Sequence, residues 1–408
     1  MVMKIRIFGN IVLLFSLLFI RCNPSYDKEA YNRLAVNPGY KKAFKQEVTL
    51  TLTDTLNILT QDKPIYYKLN DIYKDTLFFG ARGIAKKERN LIDIYNLKKK
   101  LFSHTVQYPE FEFPMAFDDF TVYNPDSIFL VFSNPPEIKI VDTKGNVNKK
   151  IKFGPVDLSI KNKKIKKNNS YSLSFLFNKP QIARNRLYVK IDPNGLGEIE
   201  GLREAKRILM YDLHDDQLIK AICPEKGPMA LKGVFYLYQL MTPYYIVARD
   251  TLFISYPLDH YVYLYDLDGK FLEKKLVSAS QFKKLPDPIP KSKLTDNEYI
   301  RRWWIPAPFY GPFYYHPKVQ LFTRIFYQKQ PLRMANGKIN DGSKRTAYVL
   351  IFDENLRKVG EVKFTNGQLG VYKVLPLSDG ILVAPNRKYW TNENEFVFKY
   401  VYKFKKIH

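Results

Sequence analysis

The sequence repeats a short turn-and-strand element, and this repeat restricts the possible folds more than any other feature. A polar turn followed by an apolar strand recurs at Asp75, Asp126, Asn185, Asp250 and Asp379. The spacings are 51, 59, 65 and 129 residues, and the last is about twice the others. We therefore expect one degenerate copy between Asp250 and Asp379, and Tyr314–Tyr327 occupies that place.

A second element follows each copy of the first and consists of two apolar strands joined by a polar turn. Asp142–Gly145 and Asp266–Gly269 are examples of these turns, and their Asp and Gly residues suit the geometry of tight hairpins. Each unit is therefore expected to form four antiparallel strands. Such units, rich in β-branched and aromatic residues, predict an all-β fold, a six-bladed β-propeller with four-stranded blades.

The sixth unit begins near Tyr372 and provides only three strands before the sequence ends. The missing strand is available in residues 47–52, with the sequence EVTLTL. Pairing this N-terminal strand with the last blade closes the ring and removes two exposed sheet edges. The propeller is thus predicted to span residues 47–408, with a β-sandwich or two smaller β domains as alternatives.

The first 22 residues have the pattern of a signal peptide. Two basic residues precede an apolar stretch from Ile7 to Ile20, which is short for a membrane span of about 20 residues. Cys22 follows directly, and the arrangement resembles a bacterial lipoprotein signal, in which the cysteine is lipidated. An uncleaved anchor or ordinary cleavage nearby are the alternatives. Residues 23–46 are polar and are predicted to be a tether.

This signal, followed by six units with the strings Asp-Thr-Leu-Phe and Tyr-Asp-Leu-Asp-Gly-Lys, resembles the exported six-bladed propellers of Bacteroidetes. Those proteins are TolB-like or NHL-like in fold and include domains of unknown function. The resemblance covers about residues 47–408 and implies a lipoprotein anchored to the outer membrane, on its periplasmic side or at the surface. The strings are structural turns, so the resemblance identifies no functional residue.

All of the long loops are expected on one face of the propeller. If the strands of a blade are lettered A to D, the A–B and C–D turns share one face, and the B–C loops and D–A connections share the other. The long segments all belong to the second class: 154–180, 192–205, 224–243, 278–312 and 329–345. Because long loops on a rigid scaffold usually carry binding functions, we take this loop-rich face as the functional face.

Arginine and aromatic residues are concentrated at the end of the 278–312 connection and in the strand after it. The candidate partner-binding residues are Arg301, Arg302, Trp303, Trp304, Tyr310, Tyr314 and Tyr315. Aromatic rings beside arginine suit stacking on sugar rings or anchoring a partner protein. The alternative is that these rings pack the connection onto the fifth blade.

Composition excludes several functional classes. Two cysteines exclude a disulfide scaffold, and five scattered histidines leave little for zinc chemistry, so no metal site or cofactor is predicted. No catalytic residue is assigned either, because Asp118 and Asp119 are paired by adjacency alone and neighbours in a strand face opposite ways. The net charge of +25 suits anionic lipid, lipopolysaccharide or acidic polysaccharide, since an exported protein rarely meets nucleic acid.

The sequence therefore favours a lipid-anchored, non-enzymatic envelope protein whose loop-rich face binds a protein or glycan partner. A purely structural scaffold is one alternative, and an enzyme acting on polysaccharide or peptide at the propeller centre is another. Two carboxylates about 5 to 9 Å apart in a central pocket would favour a hydrolase. An open aromatic shelf would favour binding.

Overall fold

The computed structural model describes residues 26–56, 67–82, 90–108, 117–133, 136–153, 171–173, 179–193, 206–222, 227–342, 345–365, 368–369, 374–384 and 400–407. These residues form six antiparallel sheets. The inner strand of blade 1 contacts that of blade 2, and the inner strands from blade 3 through blade 6 and back to blade 1 contact one another, so the sheets are the blades of a ring. The predicted six-bladed β-propeller is confirmed.

The first three blades follow one another along the chain. Blade 1 consists of β2 (Tyr67–Tyr73), β3 (Leu77–Arg82), β4 (Leu91–Asn96) and β5 (Leu101–Gln107). Blade 2 consists of β6 (Asp119–Asn124), β7 (Ser127–Phe132), β8 (Glu137–Val141) and β9 (Val147–Lys152). Blade 3 consists of β10 (Tyr171–Leu173), β11 (Gln181–Ala183), β12 (Arg186–Pro193), β13 (Ile208–Asp212) and β14 (Gln217–Ile222). Its inner strand is divided, because β10 and β11 both pair with β12.

The last three blades include the degenerate repeat. Blade 4 consists of β15 (Tyr244–Ala248), β16 (Thr251–Ser255), β17 (Tyr261–Asp266) and β18 (Phe271–Leu276). Blade 5 consists of β19 (Phe309–His316), β20 (Leu321–Tyr327), β21 (Ala347–Phe352) and β22 (Lys358–Phe364). Blade 6 consists of β23 (Val374–Leu377), β24 (Gly380–Val383), β25 (Tyr400–Lys406) and β1 (Val48–Thr55). The segment 314–327, predicted to be the degenerate copy, falls within β19 and β20, as expected.

The ring is closed by the predicted pairing of the first strand with the last. β1 is antiparallel to β25, with Val48 opposite Lys406 and Thr55 opposite Tyr400. β1 also lies close to β22 of blade 5, where a Cβ at Gly360 would collide with the carbonyl oxygen of Val48. Closure therefore joins two distant parts of the sequence and covers the outer edge of blade 6.

The repeated Asp or Asn residues have a backbone role in the A–B turns. Both central residues have positive φ in three of these turns: 46° and 54° at Lys74–Asp75, 46° and 61° at Arg184–Asn185, and 51° and 58° at Arg249–Asp250. Two positive φ values in succession define the type I′ turn, whose twist matches that of the flanking strands. Asp and Asn tolerate this conformation better than most residues, which explains why they recur.

The same turns also connect neighbouring blades. The Asp75 carboxylate in blade 1 accepts hydrogen bonds of 2.9 and 3.0 Å from the backbone N–H of Ser378 in blade 6. Asp250 of blade 4 pairs with Arg184 of blade 3, and Asp379 of blade 6 is 3.0 Å from Nζ of Lys318 in blade 5. The repeated aspartates thus bind the turn of the preceding blade, which makes them structural.

The segment predicted to be a tether is docked on the propeller from Tyr26 onward. It contains helix α1 (Lys28–Ala35), whose Asp27 caps the first turn by accepting from the N–H of Ala30 at 2.9 Å. Tyr31 and Ala35, one helical turn apart, are fully buried in the main hydrophobic core together with side chains of blades 3 to 6. Residues 26–46 are therefore part of the folded domain.

In the residues that the structure describes, the other helices lie in the two D–A connections that flank blade 4. The connection before β15 contains a 3-10 helix (Gly227–Ala230) and α2 (Tyr238–Met241), and the one after β18 contains a 3-10 helix (Lys291–Lys293) and α3 (Asn297–Trp304). Both connections belong to the loop-rich face. In the described part of the chain, no helix is long and apolar enough to cross a membrane.

Candidate functional site

The predicted arginine and aromatic residues lie on and beside helix α3 of the loop-rich face. Asp296 caps this helix by accepting from the N–H of Tyr299 at 3.0 Å. Arg301 and Arg302 are exposed, and Arg302 pairs with Glu298 one turn earlier. The helix therefore presents two guanidinium groups to solvent from a defined position.

The two tryptophans hold α3 against the propeller. Nε1 of Trp303 donates to the carbonyl of Asp287 at 2.9 Å, and its ring lies 5.9 Å from that of Tyr236. Trp304 stacks on Phe309, the first residue of β19, with 4.9 Å between the ring centroids. Both side chains are half-buried. Both rings therefore contribute to the packing of α3 on the propeller.

Arg345 binds the C-terminal end of α3 from the propeller side. It is 1% exposed, and its guanidinium donates to the carbonyl oxygens of Ala307, at 2.5 Å, and of Trp304. The guanidinium carbon lies 5.3 Å from the centre of the Trp304 ring and 5.2 Å from that of Phe309. Because charge-assisted hydrogen bonds to carbonyls at a helix end are strong, α3 is held rigidly.

The three predicted tyrosines are structural in this fold. Tyr310 is fully buried, and its hydroxyl donates to Nδ1 of His260 at 2.9 Å while accepting from the N–H of Ala279 at 3.3 Å. Tyr314 donates to the carbonyl of Val374 at 3.0 Å, and Tyr315 packs on Phe322. All three lie on β19, an inner strand flanked by blades 4 and 6. Tyr310 consequently has no surface for a partner.

A cluster of charges that the sequence did not predict lies at the centre of the ring. Asp71 of blade 1 is 2.5 Å from Nζ of Lys179, which lies between the two parts of the inner strand of blade 3. Its other carboxylate oxygen accepts from Thr121 Oγ1 at 3.0 Å and from the N–H of Val122 at 2.7 Å, both in blade 2. One carboxylate thus joins three blades.

Asp119 is the second acid of this central cluster. Its carboxyl is buried and accepts from the N–H of Phe120 at 2.8 Å. Burial raises the pKa of Asp119 to about 7, against the opposing effect of nearby Lys179. Adjacent Asp118 instead accepts from the N–H and hydroxyl of Ser133 at 2.7 and 2.5 Å, so the two acids have separate environments.

A second buried group of charges lies in blade 3, toward the loop-rich face. Lys190 and Arg207 are both fully buried, with Lys190 Nζ 3.5 Å and Arg207 Nη2 3.2 Å from the carboxylate of Asp192. The aromatic ring of Tyr238 in α2 lies 5.6 Å from the guanidinium carbon of Arg207. Burial lowers the pKa of Lys190 to about 7. Buried groups whose pKa values are strongly shifted occur often at functional sites.

The central charges escaped prediction because they come from separate blades. Asp71, Asp119 and Lys179 share no local motif, and only the ring brings them together. Their one sequence signal is the polarity of inner-strand positions in an otherwise apolar pattern, as at Asp119. Among the described residues, no group of three or more His, Cys, Asp or Glu side chains is placed to hold a metal ion.

Two predictions concern parts of the chain outside the described residues. These are the signal peptide with its lipidation site Cys22, and most of the long loops 154–180 and 192–205. The loop-rich face is therefore described here mainly through the two connections that flank blade 4 and the 328–342 loop of blade 5.

The fold and its loop-rich face define a six-bladed β-propeller with a docked N-terminal helix and buried charges at the ring centre. A family model, the domain of unknown function DUF4221, matches residues 47–363. The chain belongs to this family. The match covers the propeller from its closing strand to the outer strand of blade 5.

A solved structure supports the same assignment of fold. The crystal structure of a DUF4221 family member from Bacteroides vulgatus at 1.75 Å resolution superposes with a TM-score of 0.69. The sequences are 13% identical, and the match covers 89% of this chain and 100% of the other. Identity at this level shows the fold alone. No curated protein matches the chain.

Proposed function

We propose that this DUF4221 propeller is a lipid-anchored envelope protein of the non-enzymatic binding type, attached to the outer membrane through Cys22. Its loop-rich face binds a protein or glycan partner. The observation that carries the proposal is helix α3, which is capped by Asp296, clamped by Arg345 and presents Arg301 and Arg302 to solvent. A pre-ordered basic helix lowers the entropic cost of binding.

The proposed binding site contains fewer residues than the sequence predicted. Arg301 and Arg302, with the exposed part of Trp303, form the contact surface. Trp304 supports it by stacking on Phe309. Tyr310, Tyr314 and Tyr315 pack within the propeller on β19 and are left out of the proposed contact surface. Arginine is frequent at interface hot spots because one guanidinium can form several directed hydrogen bonds, to carboxylates of a protein or of an acidic glycan.

The partner test is a pull-down from solubilised envelopes with the full chain and with Arg301→Ala/Arg302→Ala. The matched control is Arg184→Ala/Arg249→Ala, which removes two exposed arginines from the short-turn face. A specific partner lost only in the first variant supports the proposal. A partner retained by both variants moves the site away from α3, and the absence of a specific partner overturns the binding function.

The anchor needs a separate test because Cys22 lies outside the described residues. Cells supplied with an alkyne-labelled fatty acid should incorporate the label into the wild-type chain and not into Cys22→Ser. Fractionation should place the wild type with the outer membrane. An unlabelled wild-type chain would refute the lipid anchor and leave the partner test unaffected.

A second candidate function, hydrolysis at the ring centre, is favoured by Asp119. A carboxyl with a pKa of about 7 next to the Asp71–Lys179 ion pair has the protonation state of a general acid. The test is hydrolysis of mixed envelope glycans and peptides by the wild type and Asp119→Asn. Activity lost in the variant would support an enzyme, and inactivity of the wild type would favour binding.

A further inference from the structure

The docked N-terminal segment begins close to the predicted anchor. Tyr26 is the first described residue, and its ring lies 5.4 Å from that of Tyr31 in an edge-to-face contact. The buried hydroxyl of Tyr31 donates to the carbonyl of Pro286 at 2.6 Å and accepts from Tyr236 at 2.8 Å. The start of the folded chain is thus fixed to both D–A connections that flank blade 4.

The segment is held along its length by groups of the loop-rich face. The carbonyl of Ala35 accepts from Nε2 of buried His260 at 3.1 Å and from the N–H of Leu285 at 3.0 Å. The amide of Asn37 donates to the carbonyls of Ala279 and Phe282 at 2.9 and 2.7 Å. These bonds hold the C-terminal end of α1 and the residues after it against the 278–312 connection.

Only a short piece of chain separates this attachment from the lipidation site. Residues 23–25 lie between Cys22 and Tyr26. Four successive Cα–Cα steps of about 3.8 Å allow a separation of at most about 15 Å. A lipid on Cys22 would therefore keep Tyr26 within about 15 Å of the bilayer, whereas a free tether of residues 23–46 would have allowed any orientation.

The surface around this attachment carries an excess of positive charge. Residues 26–42 and 278–304 make up its two chain segments, which meet where the N–H of Lys41 donates to the carbonyl of Ser280 at 2.9 Å. Their basic residues are Lys28, Arg33, Lys41, Lys42, Lys283, Lys284, Lys291, Lys293, Arg301 and Arg302. Their acidic residues are Asp27, Glu29, Asp287, Asp296 and Glu298, which leaves a net charge of +5. Basic residues attract anionic headgroups over about one Debye length, ~10 Å, a range similar to the reach of the linker.

We propose that the part of the loop-rich face formed by residues 26–42 and 278–304 lies against the anionic surface of the bilayer that holds the lipid anchor. The proposal rests on the lipid anchor proposed above and adds the orientation of the propeller. The short-turn face then points away from the membrane. A partner of α3 would be bound at the membrane surface.

Vesicle binding by a chain without lipid tests the surface independently of the anchor. A chain starting at Asn23 keeps every described contact, because the docked segment begins at Tyr26 and the ring is closed by β1 and β25. It is mixed with neutral phosphatidylcholine vesicles and with vesicles containing 30% phosphatidylglycerol, at low and high salt. Co-sedimentation measures the partition coefficient.

Two variants with the same change of charge locate the contact. The test variant reverses four exposed charges of the surface: Lys28→Glu, Lys283→Glu, Lys291→Glu and Arg301→Glu. The matched control reverses four exposed charges of the short-turn face: Lys98→Glu, Lys99→Glu, Lys144→Glu and Lys270→Glu. All eight side chains are exposed, and thermal melting of both variants checks that the fold is retained.

We expect the wild type to prefer anionic vesicles and to dissociate as salt rises. The test variant should lose roughly 600-fold or more in partition coefficient, since it removes four basic residues that each contribute about a factor of five near an anionic surface, and the control should lose less than about tenfold. Equal losses in both variants would overturn the proposal, because total charge would then explain binding. Equal wild-type binding to neutral vesicles would also overturn it. Neither result depends on acylation of Cys22 or on the α3 pull-down.

Discussion

Asn37 is the residue with which to test whether residues 26–46 are an integral part of the propeller. Its side chain is 3% exposed and makes three hydrogen bonds. Two are donated to the carbonyls of Ala279 and Phe282, and the third is accepted from the N–H of Gly39 at 2.8 Å. Replacement by Ala removes all three while the backbone groups stay buried.

The expected cost follows from these three groups. A buried polar group deprived of its partner costs about 1 to 3 kcal/mol. Ala279 keeps one bond to its carbonyl, from the N–H of Phe282 at 3.3 Å, so the low end of the range applies. Asn37→Ala should therefore destabilise docking by about 3 kcal/mol, which is an increase of roughly 150-fold in the undocked fraction.

Limited trypsin digestion under native conditions measures that fraction, because docked residues 26–46 are protected and undocked ones are cleaved. Urea unfolding followed by far-UV circular dichroism gives the global stability in parallel. The control is Asn32→Ala, a half-buried position of α1, where Ala should be neutral or slightly stabilising because of its higher helix propensity. Equal protection of the two variants would show that the Asn37 side chain does not hold residues 26–46 on the propeller. The inference that only residues 23–25 link Cys22 to the docked segment would then fail too.

Three further changes test other parts of the structure. Folding raises the pKa of Asp119 from its ordinary value near 3.8 to about 7, so its contribution to stability is full below pH 3.8 and is lost as pH rises through 7. Asp119→Asn should therefore gain stability relative to the wild type between pH 5 and pH 8. A difference in unfolding free energy that stays constant with pH would contradict this. Gly360→Ala should destabilise ring closure by about 1 to 3 kcal/mol, because its Cβ meets the carbonyl of Val48, and an unchanged urea midpoint would contradict this. Arg345→Lys should loosen α3, because one ammonium cannot reproduce the guanidinium contacts. Acrylamide should then quench tryptophan fluorescence more strongly. Unchanged quenching would argue against a role of Arg345 in holding α3.

Blade number and ring closure were predictable because they depend on local patterns. The type I′ turns need Asp or Asn at fixed positions, so Asp75, Asn185 and Asp250 mark the blades along the chain. The closing strand was predictable because an incomplete sixth unit leaves a sheet edge that residues 47–52 can cover. Each prediction required only the alternation of apolar and polar residues, the residue types of the turns and a count of the strands.

Docking of the N-terminal segment was not predictable from local sequence. Helix α1 is only eight residues long and mostly polar, and its two buried residues, Tyr31 and Ala35, give a weak periodic signal. Their partners, such as Tyr236 and Pro286, are about 200 or more residues away in sequence. Nothing in the segment itself indicates those contacts.

The same limit applies to the candidate site. Sequence grouped Tyr310 with Trp303 because they are neighbours in an aromatic stretch, but α3 faces solvent and β19 lies between two blades. Conversely, Asp71 and Lys179 come from different blades, and only the curvature of the ring brings their charges together. Which side of an inner strand faces a neighbour is determined by tertiary packing.

The ring can close only after both of its closing strands, β1 and β25, have been synthesised. β1 is made among the first segments, yet its partner β25 ends only at Lys406. Until β25 has been synthesised, β1 is an unpaired edge strand, open to association with other chains. Loss of the last nine residues would therefore remove the partner of a strand that lies about 350 residues earlier in the sequence, and a truncated product would expose two sheet edges at once. Protection of the N-terminal strand during synthesis is thus a requirement that this topology places on the cell.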